Sequence, residues 1–172
     1  ERAVPFSDDR NNAKMTFDHL LNKVPVNPEQ VHVMRTDIEP EQSALEYQKM
    51  LHTYFGTEGN SFDLVLSGMG DDGHTLSLFP GTEVIHETKG WVKAFYLTAQ
   101  QMYRITLTAP VVNRASSVVF LTFGANKAKA LYEVLEGEPN ADIYPSQIIQ
   151  PASGKLHWFV DEPAAALLDK KA

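Results

Sequence analysis

The chain contains no cysteine. That excludes a disulfide framework, a thiolate metal site and a cysteine nucleophile, and it fits a reducing compartment. Long apolar runs are missing as well: every hydrophobic stretch falls far short of the ~20 residues that a membrane-crossing helix needs, so no membrane span is expected. Positive charge is in short supply, with 15 Lys and Arg against 22 Asp and Glu and no basic run, which argues against a nucleic-acid partner. A small anion could still be bound where a few Arg and Lys side chains converge. Repeats, low-complexity tracts and internal linkers are also absent. What is present is 172 residues at 43% hydrophobic and 22% charged, the composition of one folded globular domain with a sizeable core.

Hydrophobic periodicity predicts an alternation of helices and strands. Residues 1–12 read as a polar loop broken by Pro5. Asn12 is placed to cap a helix from about Ala13 to Asn22, ended by Pro25 and Pro28. Val31–Met34 is a strand candidate, and Ser43 to Phe55 repeats apolar residues at helical spacing before Gly56. Strands are expected at Phe62–Leu66, Trp91–Leu97, Tyr103–Leu107, Ser117–Phe123 and Lys155–Val160; the fourth is nearly continuous in apolar residues, as in a strand buried on both faces. Pro110 opens a helical turn, Ala125–Leu135 is an amphipathic helix, Ile143 to Gln150 holds a short turn, and Glu162–Leu168 is a final Ala- and Leu-rich helix. The alternation argues an α/β domain with a mostly parallel sheet.

The most informative segment is Ser67-Gly68-Met69-Gly70-Asp71-Asp72-Gly73-His74, directly after the Phe62–Leu66 strand. Glycines let the backbone turn sharply and approach a ligand closely. Ligands of α/β sheets collect beyond the carboxyl ends of the strands, and here two carboxylates and an imidazole arrive at that point together. Imidazole is the side chain that ordinarily titrates near neutral pH, so a proton-transfer site is the leading reading. Two others compete. Asp71 or Asp72 would suit the cap of a short helix beginning near His74, and Asp71, Asp72 and His74 are all metal-ligand types. No His-x-x-x-His, Cys pair or calcium-loop spacing supports the metal.

A second constellation lies further on. Gly124-Ala125-Asn126-Lys127 repeats the order of strand, glycine and helix start, where free backbone N–H groups suit a phosphate. Lys127 opposes the helix dipole there, which points either to an anionic partner or to a simply solvated side chain like that of Lys129. Arg104 stands inside an apolar strand, where a buried guanidinium needs a carboxylate or a phosphate beside it.

These residues carry a family resemblance. Gly68-Met69-Gly70-Asp71-Asp72-Gly73-His74-Thr75-Leu76-Ser77-Leu78-Phe79-Pro80-Gly81 resembles the signature of the 6-phosphogluconolactonase family, within the group that includes glucosamine-6-phosphate deaminase. Glu1-Arg2-Ala3-Val4-Pro5 is similar to the end of its Asp-Glu-Arg-x-Val-Pro motif, followed by Asn12, with Asn11 where Ser is usual. Arg104-Ile105-Thr106-Leu107 and Gly124-Ala125-Asn126-Lys127-Ala128 match two later signatures. The resemblance implies a three-layer, Rossmann-like α/β fold, a mostly parallel sheet with helices on both faces, in a single domain over 1–172. Family members carry some tens of residues more at the N-terminus, so the sheet is expected to be incomplete there.

The same resemblance implies a cytoplasmic enzyme of the pentose phosphate pathway. It would hydrolyse a phosphorylated sugar lactone, 6-phosphoglucono-δ-lactone, without metal or organic cofactor. His74 would be the general base on water, and Asp72 would orient it or hold a sugar hydroxyl. Backbone N–H groups around Gly68 and Gly70 would stabilise the oxyanion, while Arg104 and Lys127 hold the phosphate with Arg2 as a third positive group. The oligomeric state is left open. A deaminase-isomerase is the rival enzyme, but the Glu its signature carries after the histidine is missing from Thr75-Leu76-Ser77-Leu78-Phe79-Pro80. A sugar-phosphate-sensing domain without turnover is the non-enzymatic alternative, and it would have no need of His74.

Overall fold

A computed structural model describes residues 1–169 apart from 57, 58, 60 and 153. The chain divides into two compact units, one built from 1–54 and 92–106, the other from 55–91 and 107 onward.

In the first unit, helix α1 (Asn12–His19) begins one residue earlier than its sequence suggests. Asn11, not Asn12, is the cap: its buried side chain accepts from the Lys14 N–H at 2.9 Å. Helix α2 (Pro40–Phe55) starts on a proline, whose missing N–H costs nothing in a first turn. Its Ala44 and Leu51 are buried, and Gly56 follows with φ +69°, the left-handed stop expected of glycine. Val31–Met34 forms no strand. Its β-branched residues have the propensity, but among the described residues no strand pairs with it, and Val33 stays 40% exposed. Strands β2 (Val92–Leu97) and β3 (Met102–Leu107) pair with each other as a separate two-stranded sheet. The short link through Thr98–Gln100 is far below the dozen residues a parallel crossover requires, so this pair stands outside the parallel sheet. The start of the chain runs along β3, with Ala3 N–H donating to Tyr103 O and Ile105 N–H to Glu1 O, both at 3.0 Å.

The second unit holds a parallel three-stranded sheet in the order β1 (Val65–Gly68), β4 (Ser117–Thr122), β5 (Lys155–Val160). The register sets Val65 opposite Val118 and Gly68 opposite Leu121, and on the other side Phe120 opposite Trp158. Val118 and Phe120 are fully buried, and Phe120 stacks on Trp158 with ring centroids 4.0 Å apart. The alternate face of the same strands does not follow the prediction of two-sided burial, since Leu66, Leu121 and Phe159 are exposed. Helices α3 (Ala109–Val112) and α4 (Ala128–Leu135) flank β4 in sequence; α3 carries Pro110 in its first turn, and α4 buries Ala128, Ala130 and Leu131. Residues 162–167 form turns and not the expected helix. Among the described residues there, Ala165 N–H to Asp161 O closes a helical ring, but Leu168 N–H already reverts to a three-residue bond with Ala165 O. Among the described residues no helix is long and apolar enough to cross a membrane.

The parallel arrangement delivers the carboxyl ends of β1 and β4 to the same edge of the sheet, and both glycine turns of the sequence begin there.

Candidate active site

The loop after β1 is closed on itself. Gly70 N–H donates to His74 O at 2.8 Å and Gly73 N–H to Gly70 O at 3.1 Å, with Gly73 at φ +78°. Thr75, buried, ties the loop back to the strand: its hydroxyl donates to Gly68 O at 2.9 Å and lies 2.6 Å from Ser67 Oγ. No short helix begins at His74. The chain makes an antiparallel bridge between Thr75 and Leu78 instead, which places Leu76 at φ +54°. Ordinary residues avoid that region because Cβ crowds the backbone, so the turn holds local strain.

Within this loop Asp72 and His74 are locked together. One carboxylate oxygen, Oδ1, accepts from the His74 backbone N–H at 3.0 Å and lies 2.6 Å from the ring Nδ1. The ring stacks on Phe79 with centroids 4.1 Å apart and planes 23° apart. Gly70 makes room for the pair: a Cβ there would collide with His74 Nδ1 and Asp72 Oδ1. Partial burial works against the charge on Asp72, but the hydrogen bonds from the His74 backbone and ring outweigh it and hold the carboxyl below the usual aspartate value. An ionised carboxylate can only accept, so the proton between the two belongs to Nδ1, and neutral imidazole then offers its lone pair at Nε2. Nε2 has no partner among the described residues. Asp71 is exposed and joins none of this.

Because Gly70 N–H is taken by His74 O, it is not a free donor for an oxyanion, contrary to the expectation from sequence. The second glycine turn is also tied internally. Gly124, at φ +96°, gives its N–H to the Asp161 carboxylate, at 2.9 and 3.1 Å, and the same carboxylate accepts from Ala164 N–H at 3.0 Å. That N–H is therefore not available to a phosphate. Lys127 closes a single 3-10 turn with its N–H on Gly124 O at 3.0 Å, and its half-buried side chain has no ion-pair or hydrogen-bond partner among the described residues. Sequence reasoning missed Phe79 and Asp161. Asp161 lies 37 residues from the glycine it holds, and no local spacing reveals that.

In the other unit Arg2 and Arg104 are direct partners in an antiparallel bridge. Arg2 Nη1 donates to Asn12 Oδ1 at 2.6 Å and to Arg10 O at 2.9 Å, while Arg104, 3% exposed, gives Nη1 to Gln100 Oε1 at 3.1 Å. Burial, and after it the charge of Arg2, push the Arg104 guanidinium down to about 10, with the Glu1 carboxylate pulling the other way. Among the described residues no three His, Asp or Glu side chains gather as metal ligands.

Compared with known proteins, residues 1–158 match the family model described as glucosamine-6-phosphate isomerases/6-phosphogluconolactonase. The chain belongs to that family. It is 37% identical over 172 residues to a 6-phosphogluconolactonase of Homo sapiens, covering 98% of this chain and 66% of the human protein. It is 39% identical over 168 residues to a 6-phosphogluconolactonase of Synechocystis, covering 95% and 69%. Among solved structures, a 6-phosphogluconolactonase from Thermotoga maritima superposes with a TM-score of 0.79 at 27% identity, covering 93% of this chain and 69% of that one. The chain thus spans just under two thirds of the human relative's length. As a member of this family it has an α/β fold with a parallel sheet flanked by helices, as its alternating pattern predicts.

Proposed function

We propose that the protein is a 6-phosphogluconolactonase, a cytoplasmic enzyme that hydrolyses 6-phosphoglucono-δ-lactone to 6-phosphogluconate in the pentose phosphate pathway. The observation that carries this reading is the 2.6 Å contact between His74 Nδ1 and Asp72, which leaves Nε2 as a base at the end of a parallel strand.

The chemistry follows from that geometry. Nε2 takes a proton from water as the oxygen attacks the lactone carbonyl carbon. The Asp72 carboxylate stabilises the imidazolium and keeps the ring from turning. With Gly70 N–H occupied, the oxyanion falls to the amides beside it in the Gly68–Asp71 turn. When the ring C–O bond breaks, Nε2–H returns the proton to the departing oxygen, and the new carboxylic acid releases one to solvent. Lys127, Arg104 and Arg2 are the cations proposed for the phosphate.

Acid release from freshly made lactone tests the reading, with spontaneous hydrolysis subtracted. Proton release by the full-length protein well above the spontaneous rate, abolished by His74→Ala, is expected. Tight binding of 6-phosphogluconate with no added proton release would instead make it a sensor.

A further inference from the structure

The peptide between Gly73 and His74 is one planar unit with two working ends. Its N–H, on His74, donates to Asp72 Oδ1 at 3.0 Å. Its C=O, on Gly73, accepts twice from a single residue far along the chain: from Ser146 N–H at 3.0 Å and from Ser146 Oγ at 2.8 Å. Ser146 is 2% exposed and sits in the 3-10 turn Pro145–Ile148. Both lone pairs of that carbonyl are occupied, so the peptide plane cannot rotate without breaking two buried hydrogen bonds.

The same segment braces the loop elsewhere. The Tyr144 ring lies against Gly73, where a Cβ would come within 2.9 Å of Cδ1. Gly81 N–H donates to Asp142 O at 2.9 Å, and His86 Nε2 meets Asp142 Oδ1 at 2.9 Å. The segment is itself anchored by Gln147, whose side chain accepts from Asn140 N–H at 2.7 Å and donates to Glu133 O at 2.9 Å, near the end of α4. Hydrogen bonds at the two adjacent residues Ser146 and Gln147 therefore connect helix α4, through their shared backbone, to the peptide that aligns Asp72 with His74.

We propose that Ser146 is a positioning residue for the Asp72–His74 pair, acting through the Gly73–His74 peptide plane. The proposal rests on the reading of that pair as the reacting groups. Ser146 touches no substrate; its hydroxyl sets the direction of the His74 N–H, which fixes the Asp72 carboxylate, which in turn fixes the ring.

Ser146→Ala keeps the backbone bond and removes only the hydroxyl bond. Turnover should fall roughly tenfold at unchanged KM, since small displacements of a reacting group cost rate more than ground-state binding. The Nδ1 proton signal of His74 should shift or broaden in the same variant. Ser146→Thr, which restores the hydroxyl, should recover both. Val112→Ala, a buried cavity variant in helix α3, controls for lost stability and should lower Tm with kcat unchanged. If Ser146→Ala does not fold, Ser146→Cys, of similar size but a weak donor, carries the same expectation. Wild-type kcat with an unmoved Nδ1 signal overturns the proposal. So does a loss of kcat that Val112→Ala reproduces at equal Tm. His74→Ala separates the two ideas: if it remains active, the reacting pair has been misassigned. If it is dead while Ser146→Ala is fully active, only the positioning role fails.

Discussion

Arg2 and Arg104 face each other across an isolated antiparallel bridge, so their side chains leave the same side of the paired segments. Burial is the main cost on Arg104, whose guanidinium is pushed down to about 10, and the like charge of Arg2 adds to it. An anion between them would relieve both. Arg104→Met, which keeps an apolar stem but no charge, should weaken 6-phosphogluconate by about ten- to a hundredfold, the scale of a lost charge-assisted contact. Unphosphorylated gluconate should bind as before. Calorimetry with both ligands decides it, and equal losses for the two would detach the pair from the phosphate.

Lys127 is the cleaner phosphate test, because its ammonium has no described partner to lose. Lys127→Ala should cost phosphorylated ligands about ten- to a hundredfold in affinity and leave the thermal midpoint nearly unmoved. Gluconate again serves as the reference in calorimetry. A fall in Tm with unchanged ligand affinity would assign Lys127 to structure.

His74→Ala should lower the corrected lactonase rate by about a hundredfold or more, the usual scale for a lost general base. Binding of 6-phosphogluconate should survive. A corrected rate within about threefold of wild type would remove His74 from the mechanism.

Gly70→Ala should be nearly as damaging as His74→Ala. The added Cβ would stand 2.5 Å from His74 Cε1 and closer still to Nδ1 and to Asp72, so the ring must leave its carboxylate. The expected result is a folded protein with low kcat and a displaced ring in a crystal structure. Undiminished kcat would show that the loop yields without cost.

The acid limb of stability offers a different check. The folded carboxyl of Asp72 is held below its unfolded value of about 3.9, so its stabilising contribution is fully present above that value. It is lost as pH falls through the lower, folded value. Urea midpoints of wild type and Asp72→Asn should therefore differ near neutrality and converge in acid. A constant difference across the series would mean that the charge on Asp72 is not what stabilises the loop.

Much of the fold was legible in the chain. The apolar run 117–122 and the amphipathic pattern of 128–135 produced β4 and α4 because local propensity and burial agree there. The glycine loop was legible because its residue types are informative wherever the backbone leads them. The errors arose where two neighbours could do the same work or where distant contacts decide. Asn11 and Asn12 are equally good caps by type, and the backbone gave the role to Asn11 while Asn12 took Arg2. Residues 162–167 have helical composition, but Asp161 spends its carboxylate on Gly124 as well as on Ala164, and the turn does not propagate. Gly70 read as a donor because sequence cannot show that its N–H closes a ring with His74. Ser146 left no trace, since its partner lies 73 residues away.

Leu76 gives the loop a history as well as a shape. A leucine held at φ +54° costs on the order of 1 kcal/mol that glycine or asparagine would not. A mutant library screened for heat resistance should therefore enrich small or amide side chains at position 76. A library screened for turnover should accept the same residues, because glycine or asparagine makes the same turn from His74 to Phe79, the ring beneath its imidazole. Selection for endurance and selection for speed would therefore pull this one position in the same direction.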